Sequence, residues 1–294
     1  MDEAVKQCMA VGLGEVLWDL FPGGKQMGGA PANFAYHAQT LGARGAVVSA
    51  VGDDALGHEL LDRLAGCGLD LEYVALNKDY PTGTVSVELD ENGKPNYVIH
   101  QDVAWDFLPV TPELLALAGR CDAVCFGSLA QRSPTSHDTI LRFLDATPSR
   151  CLRVFDINLR QSYFNADIVR ESLRRSNVLK LNEEELPVVA ELLSLSGPES
   201  TVLNQLIEGF RLKAVALTRG ERGSLLRTPD DEAVHPGCPT ARVIDTVGAG
   251  DCFAACIAMG LLQGDPLEEI SERANRLASY VCSQQGAMPQ MVIS

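Results

Sequence analysis

The residues Gly248-Ala249-Gly250-Asp251 carry the strongest chemical signal in this chain. They follow the apolar run Val243-Ile244, read as a strand end, and lead into the Ala-rich helical stretch that begins at Cys252. Small side chains let backbone approach a ligand closely, and the unpaired N–H groups of a helix start bind an anion. Such a turn holds a phosphate. Asp251 falls in the first helical turn, so its carboxylate reaches the same space as those N–H groups and suits a general base. The same residues also suit a plain tight turn in which Asp251 only caps a helix. A second turn of this kind, Gly28-Gly29-Ala30-Pro31-Ala32-Asn33, precedes a helical run at 34–41. It reads equally as a binding turn carrying a polar Asn or as an ordinary helix start.

Apolar runs alternate with segments of helical period along the chain. Strand-like runs at 9–16, 46–51, 123–126, 152–155, 178–181 and 214–217 are interleaved with helix-like runs at 32–40, 55–65, 134–144, 168–175, 183–193 and 203–210. This alternation predicts an α/β fold whose mainly parallel sheet carries helices on both faces. Residues 82–89 and 96–101 break the pattern. They read as a hairpin about the Asx- and Gly-rich turn 90–95, either a lid standing off the main sheet or an antiparallel edge of it. Two helices, 249–262 and 266–283, end the sequence. No linker composition divides the 294 residues, so one domain with a small appendage is expected.

With 24 Lys and Arg against 39 Asp and Glu, the formal charge is −15. The average surface therefore repels nucleic acids and anionic lipids, and neither is an expected partner. Phosphate must be held by local donors and a divalent cation. No run nears the roughly 20 apolar residues of a membrane span, and the first residues lack a signal-peptide order, so a cytoplasmic protein is expected. Nine cysteines without a Cys-x-x-Cys pair read as reduced, mostly buried thiols. The chain has no Gly-x-x-x-x-Gly-Lys-Ser/Thr, which excludes a P-loop as far as a motif can. Gly12-x-Gly14 has Leu17 at the third glycine position, and no helical pattern follows, which argues against a dinucleotide-binding oxidoreductase.

Six segments taken in order resemble the PfkB family of carbohydrate kinases, which has the ribokinase-like fold. The opening Gly14-Glu15-Val16-Leu17-Trp18-Asp19 looks like that of the family's fructokinases. Gly28-Gly29 with Asn33 is similar to the sugar-binding turn, and Asp156-Ile157-Asn158-Leu159-Arg160 resembles the Asp-x-Asn-x-Arg segment beside sugar and phosphate. Asn182-Glu183-Glu184-Glu185 matches Asn-x-x-Glu. Thr218-Arg219-Gly220-Glu221-Arg222-Gly223 looks like the loop that contacts ATP, and Gly248–Asp251 completes the series.

The resemblance implies a Rossmann-like central domain across 1–294 with a small β lid formed mainly by about 14–28 and 82–104. It also implies an ATP-dependent, Mg²⁺-assisted transfer to a primary hydroxyl of a sugar. Asp251 would be the base, with the Gly248, Ala249 and Gly250 amides and Arg160 holding the transferred charge. Asp19, Gly28, Gly29, Asn33 and Asn158 would meet the sugar, and Thr218, Gly220, Gly223 and Asn275 the nucleotide. Asn182 and Glu185 would organise Mg²⁺, directly or through water, and Asp245 near Gly286 would serve a possible K⁺. On the residues alone, Asn182 and Glu183–Glu185 read better as a solvated helix start. Fructose is the first-choice sugar, with ketodeoxygluconate, ribose and nucleosides behind it and a non-catalytic sugar-binding regulator more remote. For a sugar acid, Arg160, Arg132 or Lys25 could supply the cation. Trp18 and Trp105 suit packing on a sugar or in the core. A homodimer formed through the lid is expected.

Overall fold

The computed structural model describes residues 7–21, 23–89, 95–239 and 242–291. Its strands are β1 (Met9–Leu13), β2 (Leu17–Phe21), β3 (Gly24–Gly28), β4 (Arg44–Gly52), β5 (Val74–Asn77), β6 (Thr84–Leu89), β7 (Pro95–Ile99), β8 (Ala123–Phe126), β9 (Leu152–Asp156), β10 (Val178–Asn182), β11 (Ala214–Thr218), β12 (Ser224–Arg227) and β13 (Glu232–His235). The helices are α1 (Ala30–Thr40), α2 (Ala55–Gly66), α3 (Pro112–Ala118), α4 (Pro134–Ala146), α5 (Ala166–Arg175), α6 (Glu185–Leu193), α7 (Glu199–Phe210), α8 (Ala249–Gln263) and α9 (Leu267–Cys282).

Nine strands form one sheet in the order β13-β12-β11-β10-β9-β8-β1-β4-β5. It is parallel from β5 to β11, and β12 and β13 close one edge antiparallel. The strand–helix alternation read from the sequence is thus present as a doubly covered sheet. The β12–β13 hairpin, β5 and α3 were not among the elements expected, whereas β2 and β3 fall within the 14–28 segment expected to be β.

Side chains alternate across the sheet by size. Ala10, Val178, Ala214 and Ala216 face a core shared with α1, α8 and α9. Val11, Leu13, Leu179, Leu181, Val215 and Leu217 face a larger core shared with α3–α7. Period-two alternation fixes which residues share a face. Small residues on the first face let α8 lie close to the strands, and α8 is buried on all sides from Cys252 to Gly260. A helix that is apolar all round belongs in such an interior. Truncating Phe253 there would cost about 3–5 kcal/mol.

A separate four-stranded sheet has the order β3-β2-β6-β7, with β2 and β6 parallel and the other pairs antiparallel. Of the two arrangements considered for the 82–101 hairpin, the separate sheet is the one observed. The turn residues 90–94 lie outside the described residues. Trp18 on β2 is fully buried and donates its indole N–H to Leu56 O at 2.9 Å, anchoring the small sheet on α2. All nine cysteines are free, and five are buried.

The run ahead of Gly248 departs from expectation. Residues 242–247 form an irregular loop, not a strand end. The Ile244 and Asp245 N–H groups donate to Cys282 O at 2.8 and 3.2 Å, so this segment takes its hydrogen bonds from the end of α9 instead of from a neighbouring strand.

Candidate active site

The segments singled out in the sequence converge where the parallel strands end, the edge at which open α/β sheets bind ligands. Gly14 and Glu15 follow β1, Asp156 ends β9, Asn182 ends β10, Thr218 ends β11, and α8 begins above them.

At the start of α8, Gly248 adopts φ 82° against Ala287. A side chain there would need a left-handed backbone and would meet Ala287 O at 2.6 Å. Cys252 N–H begins the intrahelical bonding to Gly248 O at 2.9 Å, while Ala249 N–H reaches Thr246 O at 3.4 Å. The Gly250 and Asp251 amides precede the first intrahelical bond and are left for an anion. No side chain caps the helix. Asp251 therefore does not spend its carboxylate as a cap. It accepts a hydrogen bond from Asn33 Nδ2 at 2.7 Å, which joins the two glycine turns 218 residues apart in sequence. Burial raises the Asp251 pKa above the usual Asp value, opposed by Lys180, the Asn33 bond and Arg160. This is the direction a general base needs.

The other turn positions α1. Gly29 has φ 120°, and a Cβ there would lie 2.5 Å from Glu15 O, so the residue must be glycine for this packing. Gly28 faces Asp19: a Cβ on it would be 2.7 Å from Asp19 Oδ2. Asp19 is half-buried, and burial lifts its pKa to about 6, with Arg160 opposing. Glu15 is buried, and burial lifts its carboxyl to about 7. Its Oε2 and the Asn33 Oδ1 are buried acceptors with no protein donor. Unmet acceptors of this kind cost on the order of 1–3 kcal/mol unless a ligand or water supplies a donor.

Between the two turns lies the 156–160 segment. Asn158 has a left-handed φ of 43° and is half-buried. Arg160 is exposed, and its charge acts on Glu15, Asp19, Asp156 and Asp251. Asp156, whose oxygens on the residues alone suit sugar hydroxyls, is engaged by a lysine. Both of its oxygens accept from Lys180 Nζ, at 2.9 and 3.1 Å, with the two side chains 3% and 10% exposed. Burial raises the Asp156 pKa to about 6 despite the lysine. Burial also opposes the Lys180 charge, but Asp156, Glu185 and Asp251 outweigh it and raise the lysine pKa. Breaking a buried pair on one side costs on the order of 3–5 kcal/mol.

Asn182 and Glu185 interlock at the start of α6. Asn182 Oδ1 accepts the Glu184 and Glu185 N–H groups at 2.9 and 2.8 Å. Glu185 Oε2 accepts Asn182 N–H at 2.8 Å, and its Oε1 accepts Leu159 N–H at 2.9 Å. The helix-start reading of these residues is thus realised as a reciprocal cap. Among the described residues no group of three or more His, Cys, Asp or Glu could hold a metal. The pair's oxygens accept backbone N–H groups and keep further lone pairs, so the two side chains fit a divalent ion directly or through water. Asp245 likewise bonds Val247 N–H at 3.0 Å and Gly286 N–H at 3.1 Å, tying its loop to Gly286.

On the far side of Asn182, its register partner Thr218 leads into Gly220 (φ 58°) and Gly223 (φ 80°). Asn275 is buried against β12. Its Nδ2 donates to Ser224 Oγ and Ser271 O, both at 2.7 Å, leaving only its carbonyl oxygen. Arg132 and Lys25 stand outside the cluster. Arg132 is paired with Asp106 at 2.8 Å over the Trp105 ring, but its Nη1 is buried with no hydrogen-bond partner among the described residues, and Lys25 is paired with Glu59 at 2.5 Å over the Trp18 ring. The tryptophans pack inside the protein, not on a ligand space.

Sequence reasoning missed Lys180 and Glu15. The signal for Lys180 was a single charge inside the apolar strand Val178-Leu179-Lys180-Leu181, where an unpaired cation would be costly.

A parallel sheet with an anion-binding helix start and a half-buried carboxylate at its carboxyl edge is the arrangement of an α/β phosphotransferase. The chain belongs to the pfkB family of carbohydrate kinases, whose pattern it matches over residues 14–292. It is 30% identical over 264 residues to the fructokinase of Klebsiella pneumoniae, covering 85% of this chain and 83% of that one. The fructokinase of Vibrio cholerae O395, solved in a fructose, ADP and calcium ion bound form, superposes with a TM-score of 0.79 at 25% identity, covering 96% of this chain and 94% of that one. An uncharacterized sugar kinase of Pyrococcus horikoshii in complex with ATP gives a TM-score of 0.79 at 25% identity, covering 95% and 94%.

Proposed function

We propose that this carbohydrate kinase transfers the γ-phosphoryl group of ATP to a primary hydroxyl of a neutral sugar, with fructose, taken to fructose 6-phosphate, as first choice. The observation that carries this reading is the Asn33–Asp251 bond, which joins a hydroxyl-binding turn to a phosphate-binding one. Asp251 removes the hydroxyl proton as the sugar oxygen bonds to phosphorus and the bond from phosphorus to the departing ADP oxygen breaks. The proton ends on Asp251. Its effect as a base is on the order of 10²–10⁴ in rate. The Gly250 and Asp251 amides and Arg160 face the charge on the transferring group, and positioning supplies much of the remainder.

The acceptors Glu15, Asp19 and Asn33 Oδ1 favour a ligand rich in O–H donors. Gly28, Gly29 and Asn158 shape the same space. This supports a neutral sugar over a sugar acid, because these acceptors outnumber the candidate cations, Arg160 and the unpartnered Nη1 of Arg132, and Lys25 is committed to Glu59. Arg160 is also the observation that keeps 2-keto-3-deoxygluconate as the second reading. Thr218, Gly220 and Gly223 would meet the nucleotide, with Asn275 behind them through its carbonyl. Asn182 and Glu185 would hold Mg²⁺, directly or through water, where it would neutralise phosphate charge. Asp245 would serve K⁺.

The small sheet would act as the lid over the sugar and as the contact of a homodimer. Among the described residues no helix is long and apolar enough to cross a membrane, and the expected compartment is the cytoplasm. Coupled ADP release with ATP and a panel of sugars tests the reading. Fructose-dependent turnover is expected, and sugar binding without turnover for any sugar would leave a non-catalytic binding protein instead.

A further inference from the structure

Lys180 has no part in the reading above, yet it stands at its centre. We propose that Lys180 is a catalytic residue whose ammonium binds the γ-phosphoryl group and stays with it through transfer, a proposal that rests on the kinase reading. Strand alternation puts Lys180 on the face of β10 shared with Val178, the face that α8 covers. Its Nζ abuts the anion-binding turn, since a Cβ on Gly250 would lie only 2.9 Å from it. A glycine at 250 is what leaves room for the ammonium.

An ammonium has three donors. Those of Lys180 meet the two Asp156 oxygens, and among the described residues no third acceptor engages it. The donor left over faces the space in front of Gly250 and Asp251.

The charge balance points the same way. Asp156, Glu185 and Asp251 act on this lysine together, and an incoming phosphoryl group adds further negative charge beside them. Arg160 is exposed on an irregular segment, whereas Lys180 is buried and held in place by Asp156. A buried ion pair is not needed for stability, since apolar residues of like size pack as well or better. A pair retained at the mouth of a phosphate site therefore fits a ligand better than it fits the fold alone. Asp156 becomes the tether that aims the lysine. In the transfer step Lys180 changes no covalent bond: it donates hydrogen bonds to the phosphoryl oxygens while the proton goes to Asp251.

The test is calorimetric binding of ATP and of ADP, each with magnesium, to wild type, Lys180→Met and Asp156→Asn, together with kcat on the best sugar. Lys180→Met should weaken ATP by about tenfold or more with ADP nearly unchanged, and should lower kcat about 10²-fold. Asp156→Asn keeps the ammonium and should keep the preference for ATP over ADP. If Lys180→Met does not fold, the double variant Lys180→Met/Asp156→Asn removes both charges and should show the same selective loss. An unchanged ATP-to-ADP ratio in the lysine variants, or equal loss of that ratio in Asp156→Asn, would overturn the proposal and leave a structural pair. Wild type that binds neither nucleotide would instead overturn the kinase reading beneath it.

Discussion

The starts of α1 and α8 are built alike and equipped oppositely. Each is a glycine turn with positive φ, at Gly29 and Gly248, pressed against a neighbouring backbone and lacking a side-chain cap. Around α1 the polar groups are acceptors: Glu15, Asp19 and the Asn33 carbonyl. Around α8 they are donors and a cation, the Gly250 and Asp251 amides and Lys180, while Arg160 acts on the carboxylates of both turns. A polyol offers protons and a phosphate offers oxygens, so the two turns suit the two halves of one reaction. Asp251 is the exception: Asp156 is bound to Lys180 and Glu185 to backbone N–H groups, so Asp251 is the acceptor proposed to take a proton there.

The largest break in this comparison comes from removing that exception. Asp251→Asn should lower kcat by about 10²–10⁴ while sugar and ATP still bind, measured by steady-state kinetics beside calorimetry. Turnover within tenfold of wild type would reject Asp251 as base. Because burial raises its pKa, wild-type kcat/KM should fall as pH drops while still above the ordinary Asp range near 3.8. At the acceptor end, Asp19→Ala should raise the sugar KM by about 10–100-fold, the worth of a hydrogen bond to a charged group, with less change in the KM for ATP. Equal rises in both would dissolve the division between the turns.

Smaller again is the effect of His37, buried on α1 with its Nε2 2.9 Å from Ala287 O in the loop behind Gly248. Burial depresses its pKa from 6.5 to about 4. The unfolded chain then binds a proton that the folded one refuses, so stability is lost as pH falls below about 6.5 toward 4. The loss by pH 5 is on the order of 2 kcal/mol. His37→Gln should shrink the drop in Tm between pH 7 and pH 5, and an unchanged drop would show that His37 is not its source.

Much of this was legible in residue order. The strand–helix alternation marked the parallel sheet because β1, β8, β9, β10 and β11 are short apolar runs that a sheet covered on both faces requires. Gly248–Asp251 and Gly28–Asn33 were legible because a ligand-binding helix start needs small residues and a polar side chain within one turn. The Asn33–Asp251 bond was not, since nothing local joins residues 218 positions apart. The roles of Arg132 and Lys25 were hidden for the same reason. Their partners Asp106 and Glu59 are distant in sequence, and only folding shows that Lys25 is paired and that Arg132 keeps one buried N–H group unpartnered. Lys180 left a local trace, a charge in an apolar strand, but its partner Asp156 sits on the neighbouring strand. The loop at 242–247 misled because Val243 and Ile244 have strand-forming side chains, yet among the described residues no strand pairs with them.

The measurement that tests the division between acceptor and donor ends most directly is kcat/KM for fructose against 2-keto-3-deoxygluconate under identical ATP and magnesium. An acceptor-lined sugar turn predicts a ratio of about tenfold or more in favour of fructose, because a carboxylate among Glu15, Asp19 and Asp251 meets like charge. A ratio below one would contradict the account and assign Arg160, or the unpartnered Nη1 of Arg132, to a sugar carboxylate.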